Sequence, residues 1–302
     1  MYKITPPLAT YPDVIRSPAR SELWLPRPAL SGCVRALISR DTRGVALAEA
    51  DRLNHFPATP VCCVLWYLHG DAEILPQGRE AEPLRLPAPI TFGGPFTAPV
   101  VTRNPGPMHA FMVLLLPDAL AALTGIDPGA WLNRIVPVEA LFDAEWQAMF
   151  QAVAAAPDDM SRADLLDAFL HPRWQAARPD AGSPIRVYAD WYQNLSLRAA
   201  NSGMGRSLRQ MERRVKQWTG QPLRELRGLS RSEQVFLDAV VAGESGDVNW
   251  SEIASNSGYT DQSHLTRQTR RITGFPPEEL RQRVLREESF WVYRLWGVAG
   301  GS

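Results

Sequence analysis

A segment near the C-terminus occurs twice at a constant offset of 54 residues. The first copy runs from Ala200 through Leu208-Arg209-Gln210-Met211-Glu212-Arg213 to Thr219-Gly220-Gln221-Pro222, and the second from Ala254 through Leu265-Thr266-Arg267 to Thr273-Gly274-Phe275-Pro276. Without a gap, Ala200, Arg213, Thr219, Gly220 and Pro222 fall on the identical residues Ala254, Arg267, Thr273, Gly274 and Pro276, and Met211 falls on Leu265. Each copy has the spacing of an amphipathic helix. Met211, Val215 and Trp218 lie at i, i+4 and i+7, as do Leu265, Thr269 and Ile272, and such stripes pack inward. The opposite stripe carries Arg209, Glu212, Arg213 and Lys216 in one copy, and Ser263, Thr266, Arg267 and Arg270 in the other. Thr-Gly then supplies a left-handed C-terminal cap, and the following Pro stops the helix. The chain is therefore expected to hold a duplicated helix-turn-helix.

Charge supports a polyanionic partner. The whole chain has 32 basic and 32 acidic residues, yet residues 200 to 235 hold eight Lys or Arg against three Glu, a local balance of 8 − 3 = +5. An exposed basic stripe is often only a solvated face. Two such stripes in one register, with positive charge gathered around them, meet what phosphate binding requires.

Residues 195 to 286 resemble the DNA-binding domain of the AraC/XylS family of bacterial transcription regulators. The resemblance is carried by Ile253-Ala254, by Gly258-Tyr259-Thr260-Asp261-Gln262-Ser263-His264-Leu265-Thr266-Arg267, and by Thr273-Gly274-Phe275-Pro276-Pro277. The first half joins it through Ser207-Leu208-Arg209-Gln210-Met211-Glu212-Arg213-Arg214 and Thr219-Gly220-Gln221-Pro222. The chain departs from the pattern at Val215 and Thr269, where the family usually has an aromatic, and a buried Thr hydroxyl predicts a looser second motif. The resemblance implies a DNA reader whose base and phosphate contacts come from Arg209, Glu212, Arg213, Lys216, Gln262, Ser263, Thr266, Arg267 and Arg270. Between the motifs, Ser230-Arg231-Ser232-Glu233 has the pattern of a capping box and leads into the apolar run Val235 to Val241, which predicts a rigid connecting helix.

The N-terminal half has another texture. Short apolar runs at Val61 to Leu68, Ala72 to Leu75, Ile90 to Phe92, Pro99 to Thr102 and Ala110 to Leu116 are separated by Pro and Gly, as in a barrel or jelly-roll sandwich. The family resemblance implies the same, since AraC-type sensor domains are often cupin-like barrels. Helical periodicity follows over Pro117 to Leu123, Leu141 to Ala155 and Arg162 to Leu170, with Ser161 as N-cap and Pro172 as stop. The fold class expected is α+β, with a cupin-like sensor domain over 1–172, a linker over 173–184, and an all-α DNA-binding domain over 185–290. With 302 residues, 45% of them hydrophobic, the chain is long enough for two cores.

The function expected is sequence-specific DNA binding in transcription regulation, controlled by a small molecule or partner at the N-terminal domain. For that effector the candidates are His55, Trp66, Tyr67, His69, Arg103 and His109 near strand ends, although Trp and Tyr in strands serve more often as core. The alternative from another class is a metal-free cupin-type enzyme fused to a helical interaction module. Catalysis is not expected: none of the five histidines forms a His-x-His pair, no metal site or cofactor motif appears, and neither a phosphate loop nor a nucleophile elbow occurs. Three cysteines, Cys33, Cys62 and Cys63, fit a reducing compartment. No apolar run reaches membrane-spanning length, so a cytoplasmic location is expected. The partners expected are double-stranded DNA and a small-molecule effector, with RNA polymerase and a second copy of the chain as further candidates.

Overall fold

The computed structural model describes residues 1–4, 14–76, 82–178, 185–201, 208–244 and 248–296. Among them, eleven strands form two antiparallel sheets. The larger has the order β1-β2-β3-β10-β5-β8-β11, built from β1 (Tyr2–Ile4), β2 (Arg20–Leu25), β3 (Val34–Asp41), β10 (His109–Leu115), β5 (Cys62–His69), β8 (Ile90–Gly93) and β11 (Ile135–Pro137). The smaller has the order β4-β9-β6-β7, from β4 (Leu53–Phe56), β9 (Val100–Arg103), β6 (Glu73–Leu75) and β7 (Leu84–Arg85). The expected double-sheet domain is present.

The central strands β3 and β10 are buried almost throughout. This explains why β10 is a continuous apolar run and does not alternate, because both faces of the large sheet are covered. On one face, Val34, Leu37, Phe111 and Val113 join a core with the helices α1 (Pro117–Thr124), α2 (Ala144–Ala155) and α3 (Asp159–Ala177). On the other, Ala36, Ile38 and Met112 join a second core with residues from the end of the chain. Strand alternation sends Cys62 into the first core and Cys63 against the second.

Helix α3 differs from its expected bounds at both ends. Its N-cap is Asp158, whose carboxylate accepts from the Ser161 N–H at 2.8 Å, so Ser161 is already inside the first turn. The helix continues through Pro172 to Ala177. Trp174 is buried against Leu170 in the first core, and Arg173 donates from its guanidinium to the Phe169 carbonyl, so packing of the last turn outweighs the hydrogen bond that Pro172 cannot donate.

The C-terminal part is helical: α4 (Tyr188–Asn201), α5 (Leu208–Thr219), α6 (Leu223–Glu244), α7 (Trp250–Asn256), α8 (Gln262–Thr273), α9 (Pro277–Arg286) and α10 (Trp291–Trp296). The connecting helix α6 starts directly after Pro222, so Ser230 lies in its interior and the expected capping box does not form. Glu233 is used elsewhere. Its Oε1 accepts from Arg35 of β3 at 2.8 Å and from the Trp296 indole at 3.1 Å, and its Oε2 accepts from the Tyr188 backbone at 2.5 Å. Arg35 sits where the β3–β10 register steps from Ala36 to Val34, and its guanidinium lies 4.6 Å from the centre of the Trp296 ring.

A second buried cluster closes the end of the chain onto the large sheet. Glu288 accepts from Arg40 of β3 at 2.5 Å, from Ser17 at 2.6 Å and from Arg294 at 2.9 Å. Trp291 donates to Asn54 of β4 at 2.8 Å. Residues 288–296 thus return from the helical part to the N-terminal sheets.

Candidate nucleic-acid interface

The two copies of the duplicated segment end in the same hydrogen-bond pattern. In α5, Gly220 has φ +75°, its N–H donates to the Lys216 carbonyl at 2.8 Å, and the Thr219 hydroxyl donates to the Val215 carbonyl at 2.8 Å while accepting from the Gln221 N–H at 3.3 Å. In α8, Gly274 has φ +88°, its N–H donates to Arg270 at 2.8 Å, and the Thr273 hydroxyl donates to Thr269 at 2.8 Å while accepting from the Phe275 N–H at 3.2 Å. The left-handed position requires glycine in each. The turn before α8 uses Gly258 at φ +71°, and Asp261 then caps the helix by accepting from the His264 N–H.

The inward stripes pack as the spacing predicts. Val215 is fully buried in the first core, with Met211 and Trp218 packed beside it, and Leu265 joins Val235, Ile253, Ala254 and Tyr259 in a core of its own. Thr269 is buried, but its hydroxyl donates to the Leu265 carbonyl at 3.0 Å. The polar atom is therefore satisfied one turn back, and the loosening expected at this position is limited to lost apolar contact.

The outward stripes face solvent. Arg209, Glu212, Arg213 and Lys216 on α5 are exposed, as are Gln262, Ser263, Arg267 and Arg270 on α8, with Thr266 half-buried. The Thr266 hydroxyl donates to the Gln262 carbonyl at 2.9 Å. Among the described residues, no ion pair engages Arg209, Arg213, Lys216, Arg267 or Arg270, so all five cations are available to an external anion. Arg231 lies outside both stripes and packs over the Tyr259 ring, 5.9 Å from its centre.

Residues 202–283 match the family model described as a helix-turn-helix domain. That match covers both copies of the duplicated segment, whose residues carry the AraC/XylS signature. Residues 202–283 are a helix-turn-helix domain, similar in its signature residues to the AraC type. The chain thus joins a sheet-rich N-terminal part to a helix-turn-helix domain over residues 202–283. Among solved structures, ToxT from Vibrio cholerae is 11% identical over 78% of this chain and 95% of that chain, at a TM-score of 0.35. The unsaturated fatty acid-bound ToxT from Vibrio cholerae gives 11%, 78%, 95% and 0.34 in the same order. The AraC-like transcriptional activator CuxR is 12% identical over 92% of this chain and 86% of that chain, at 0.25. At these scores no residue role or ligand is carried over. Comparison with curated proteins finds no match.

Of the residues expected to hold an effector, Trp66 and Tyr67 lie side by side on β5 and His69 is the register partner of His109, while His55 and Arg103 lie in the smaller sheet. Trp66 is fully buried and donates its indole N–H to the Phe150 carbonyl at 3.0 Å, as a core residue does. Trp66 and Tyr67 line a small hollow of about 260 Å³ with Glu139 and Gln151. His69 is exposed at the end of β5, and Arg103 pairs with Glu73 at 2.6 Å. His109 is buried beside Asp159, 3.1 Å away. Burial opposes ionisation of Asp159, but the hydrogen bonds from His109 and Ser39, with Arg162 nearby, hold its carboxyl down at about 2. Among the described residues no cluster of three or more metal-ligating side chains occurs.

His55 stacks on Phe290 at 4.4 Å between ring centres and meets Phe275 edge-on, so it belongs to the contact between β4 and the chain end. Burial, with the nearby Arg283 charge, lowers its pKa from 6.5 to about 4. A group depressed in this way is neutral in the fold and protonates more readily when unfolded. Its contribution to stability is therefore complete above pH 6.5 and is lost as pH falls towards 4. The melting temperature is expected to fall across that window, and His55→Phe, which keeps the stacking without a titratable group, is expected to flatten the fall. An unchanged slope in the variant would assign the pH dependence to other groups.

The arginines and glutamates that join the two parts of the chain were not identifiable as site residues. Their one sequence signal is charge inside an apolar strand, Arg35 and Arg40 within Val34 to Asp41, together with the aromatic run that continues from Phe290 to Trp296, past the expected end of the helical domain at 290.

Proposed function

We propose that α5 and α8 read DNA with their outward stripes, and that the N-terminal domain controls this reading by holding the C-terminal ends of both helices. The observation that carries it is the placement of the duplicated caps. Gly220 lies against Gly129 and Pro128, which follow α1. At the other copy, the Ile272 carbonyl accepts from the Ala58 N–H at 2.8 Å, and Phe275 meets His55. Equivalent points on both recognition helices thus touch the N-terminal domain while the polar stripes stay open to solvent. A shift of that domain would move the helix ends relative to each other, and successive major-groove segments on one DNA face recur only about every 34 Å.

In this reading residues 1–172 form the regulatory domain, 173–184 the junction, and 185–290 the reader, with 291–296 acting as a strap back to the sheets. Arg209, Glu212, Arg213, Lys216, Gln262, Ser263, Thr266, Arg267 and Arg270 are the DNA contacts. The protein acts by binding and not by catalysis, in the cytoplasm, with a small-molecule effector at the N-terminal side. RNA polymerase and a second copy of the chain complete its partners.

Arg213 and Arg267 are assigned to bases because they hold equivalent, unpaired positions at mid-helix, and the Arg fork can donate two parallel hydrogen bonds to guanine O6 and N7. Using duplexes that the full-length protein selects from a random pool, Arg213→Ala and Arg267→Ala are each expected to cost about 1 to 3 kcal/mol on the selected sequence and much less on a scrambled one. Wild-type affinity should fall with salt at a log–log slope of about −0.9 per phosphate neutralised. The exposed Arg224, outside the stripes, is the control. Equal losses on both duplexes would make these residues phosphate contacts, and no loss on either would remove them from the interface.

A further inference from the structure

A cavity of about 390 Å³ lies where the two parts of the chain meet. Its walls come from both sides: Ile38 of β3 and Met112 of β10 on the sheet, Phe236 of α6, Ile272 of α8, Leu280 of α9 and Tyr293 of α10. Helices α6, α8, α9 and α10 thus contribute to it, including the end of the second recognition helix. Its size falls within the range of pockets that hold small organic ligands, and its lining is predominantly apolar.

Three side-chain polar atoms in this wall, on Ser232, Gln282 and Tyr293, lack hydrogen-bond partners. The Tyr293 hydroxyl is buried with no hydrogen bond, in a residue only 5% exposed, and the Gln282 Oε1 is likewise buried and unbonded. Buried polar atoms are nearly always satisfied, so a phenol left without a partner on a cavity wall points to an occupant. The charged groups, by contrast, are already engaged. Glu233 is saturated by Arg35, Trp296 and the Tyr188 N–H. Arg281 is paired with Glu278 at 2.9 Å. The remaining lining cation, Arg286, has an exposed side chain at the edge. An ionised ligand would lose its hydration inside this cavity and find Glu233 and Arg281 already committed, with the solvent-exposed Arg286 as the remaining counter-charge.

We infer that this cavity binds an uncharged, predominantly apolar small molecule carrying a hydroxyl group, which hydrogen-bonds to Tyr293 and Gln282. The inference rests on the reading that an effector controls DNA binding, and it places that effector between the two parts of the chain and away from the strand-end candidates. Tyr293 supplies a donor and Gln282 an acceptor, and a hydroxyl is the smallest group able to serve both. Because Ile272 and Phe236 share the wall, the occupant touches the second recognition helix and the connecting helix together.

The test uses the full-length protein, with Nile red as an uncharged fluorescent probe and 1-decanol and decanoate as competitors of equal chain length at neutral pH. Nile red is expected to bind saturably. Decanol should displace it at concentrations about tenfold lower than decanoate. Tyr293→Phe should weaken decanol about fivefold while leaving Nile red affinity and the melting temperature unchanged, since no hydrogen bond within the protein is lost. Met112→Trp, which fills the cavity from the sheet side, should abolish both. Absence of saturable probe binding, decanoate binding ahead of decanol, or undiminished decanol affinity in Tyr293→Phe would each overturn the inference. DNA retardation is measured on the same wild-type preparation without competitor. Retardation with no probe binding sinks the ligand site alone, and probe binding with no retardation sinks the DNA reading alone.

Discussion

Replacing Glu288 with alanine is expected to destabilise the protein by about 3 to 5 kcal/mol, the cost of removing one partner from a buried ion pair. Glu288 is 2% exposed and holds two guanidiniums, Arg40 from β3 and Arg294 from α10, which are themselves 1% and 7% exposed. Burial lowers the pKa of both arginines, and Glu288 is what opposes that shift. Without it two cations face each other out of water. The neighbouring Glu279→Ala, which breaks a solvent-exposed i, i+4 pair with Arg283, should cost less than about 1 kcal/mol. Urea denaturation of the two variants measures the contrast, and limited proteolysis should show the chain end opening only in Glu288→Ala. Similar costs in the two variants would mean that residues 288–296 do not strap the helical part to the sheets.

The second large effect comes from the duplicated glycines. Gly220→Ala and Gly274→Ala place a side chain at φ +75° and +88°, where the left-handed backbone strain is about 1 to 2 kcal/mol in either case. Their surroundings differ. A Cβ on Gly220 would come within 2.6 Å of the Gly129 Cα and N, which are backbone atoms and cannot rotate away. A Cβ on Gly274 would meet nothing closer than Pro99 Cγ at 3.9 Å. Gly220→Ala should therefore cost about 1 to 3 kcal/mol more than Gly274→Ala, the usual range for overpacking. It should also change the affinity of the full-length protein for its selected duplex, because relief of the clash requires the end of α5 to leave the N-terminal domain. Equal stabilities and equal DNA affinities in the two variants would show that this contact yields freely and does not hold the recognition helix.

The sequence by itself determined the elements whose causes are local. The period of Met211, Val215 and Trp218, the Thr-Gly-x-Pro stops and the repeat at 54 residues gave both recognition helices and their exposed faces, because face and cap follow from residues within a few turns of one another. Five short apolar runs marked β5, β6, β8, β9 and β10 for the same reason, while β1 to β4, β7 and β11 carried no such mark. Where tertiary contact overrode local preference, the sequence was misleading. Pro172 reads as a stop, yet buried Trp174 keeps α3 helical to Ala177. Ser230 to Glu233 reads as a helix start, yet it lies within α6, and Glu233 binds an arginine 198 residues away in sequence. Of the six polar and aromatic residues at strand ends, pairing of β5 with β10 sets His69 opposite His109, while His55 and Arg103 belong to the other sheet. Only the tertiary structure decided where the cavity lies, which charges are buried, and that the chain end returns to the first sheet. A partner far away in sequence leaves no periodic mark on either residue, so Arg35, Arg40, Glu233 and Glu288 become legible only when the fold brings their charges out of water together.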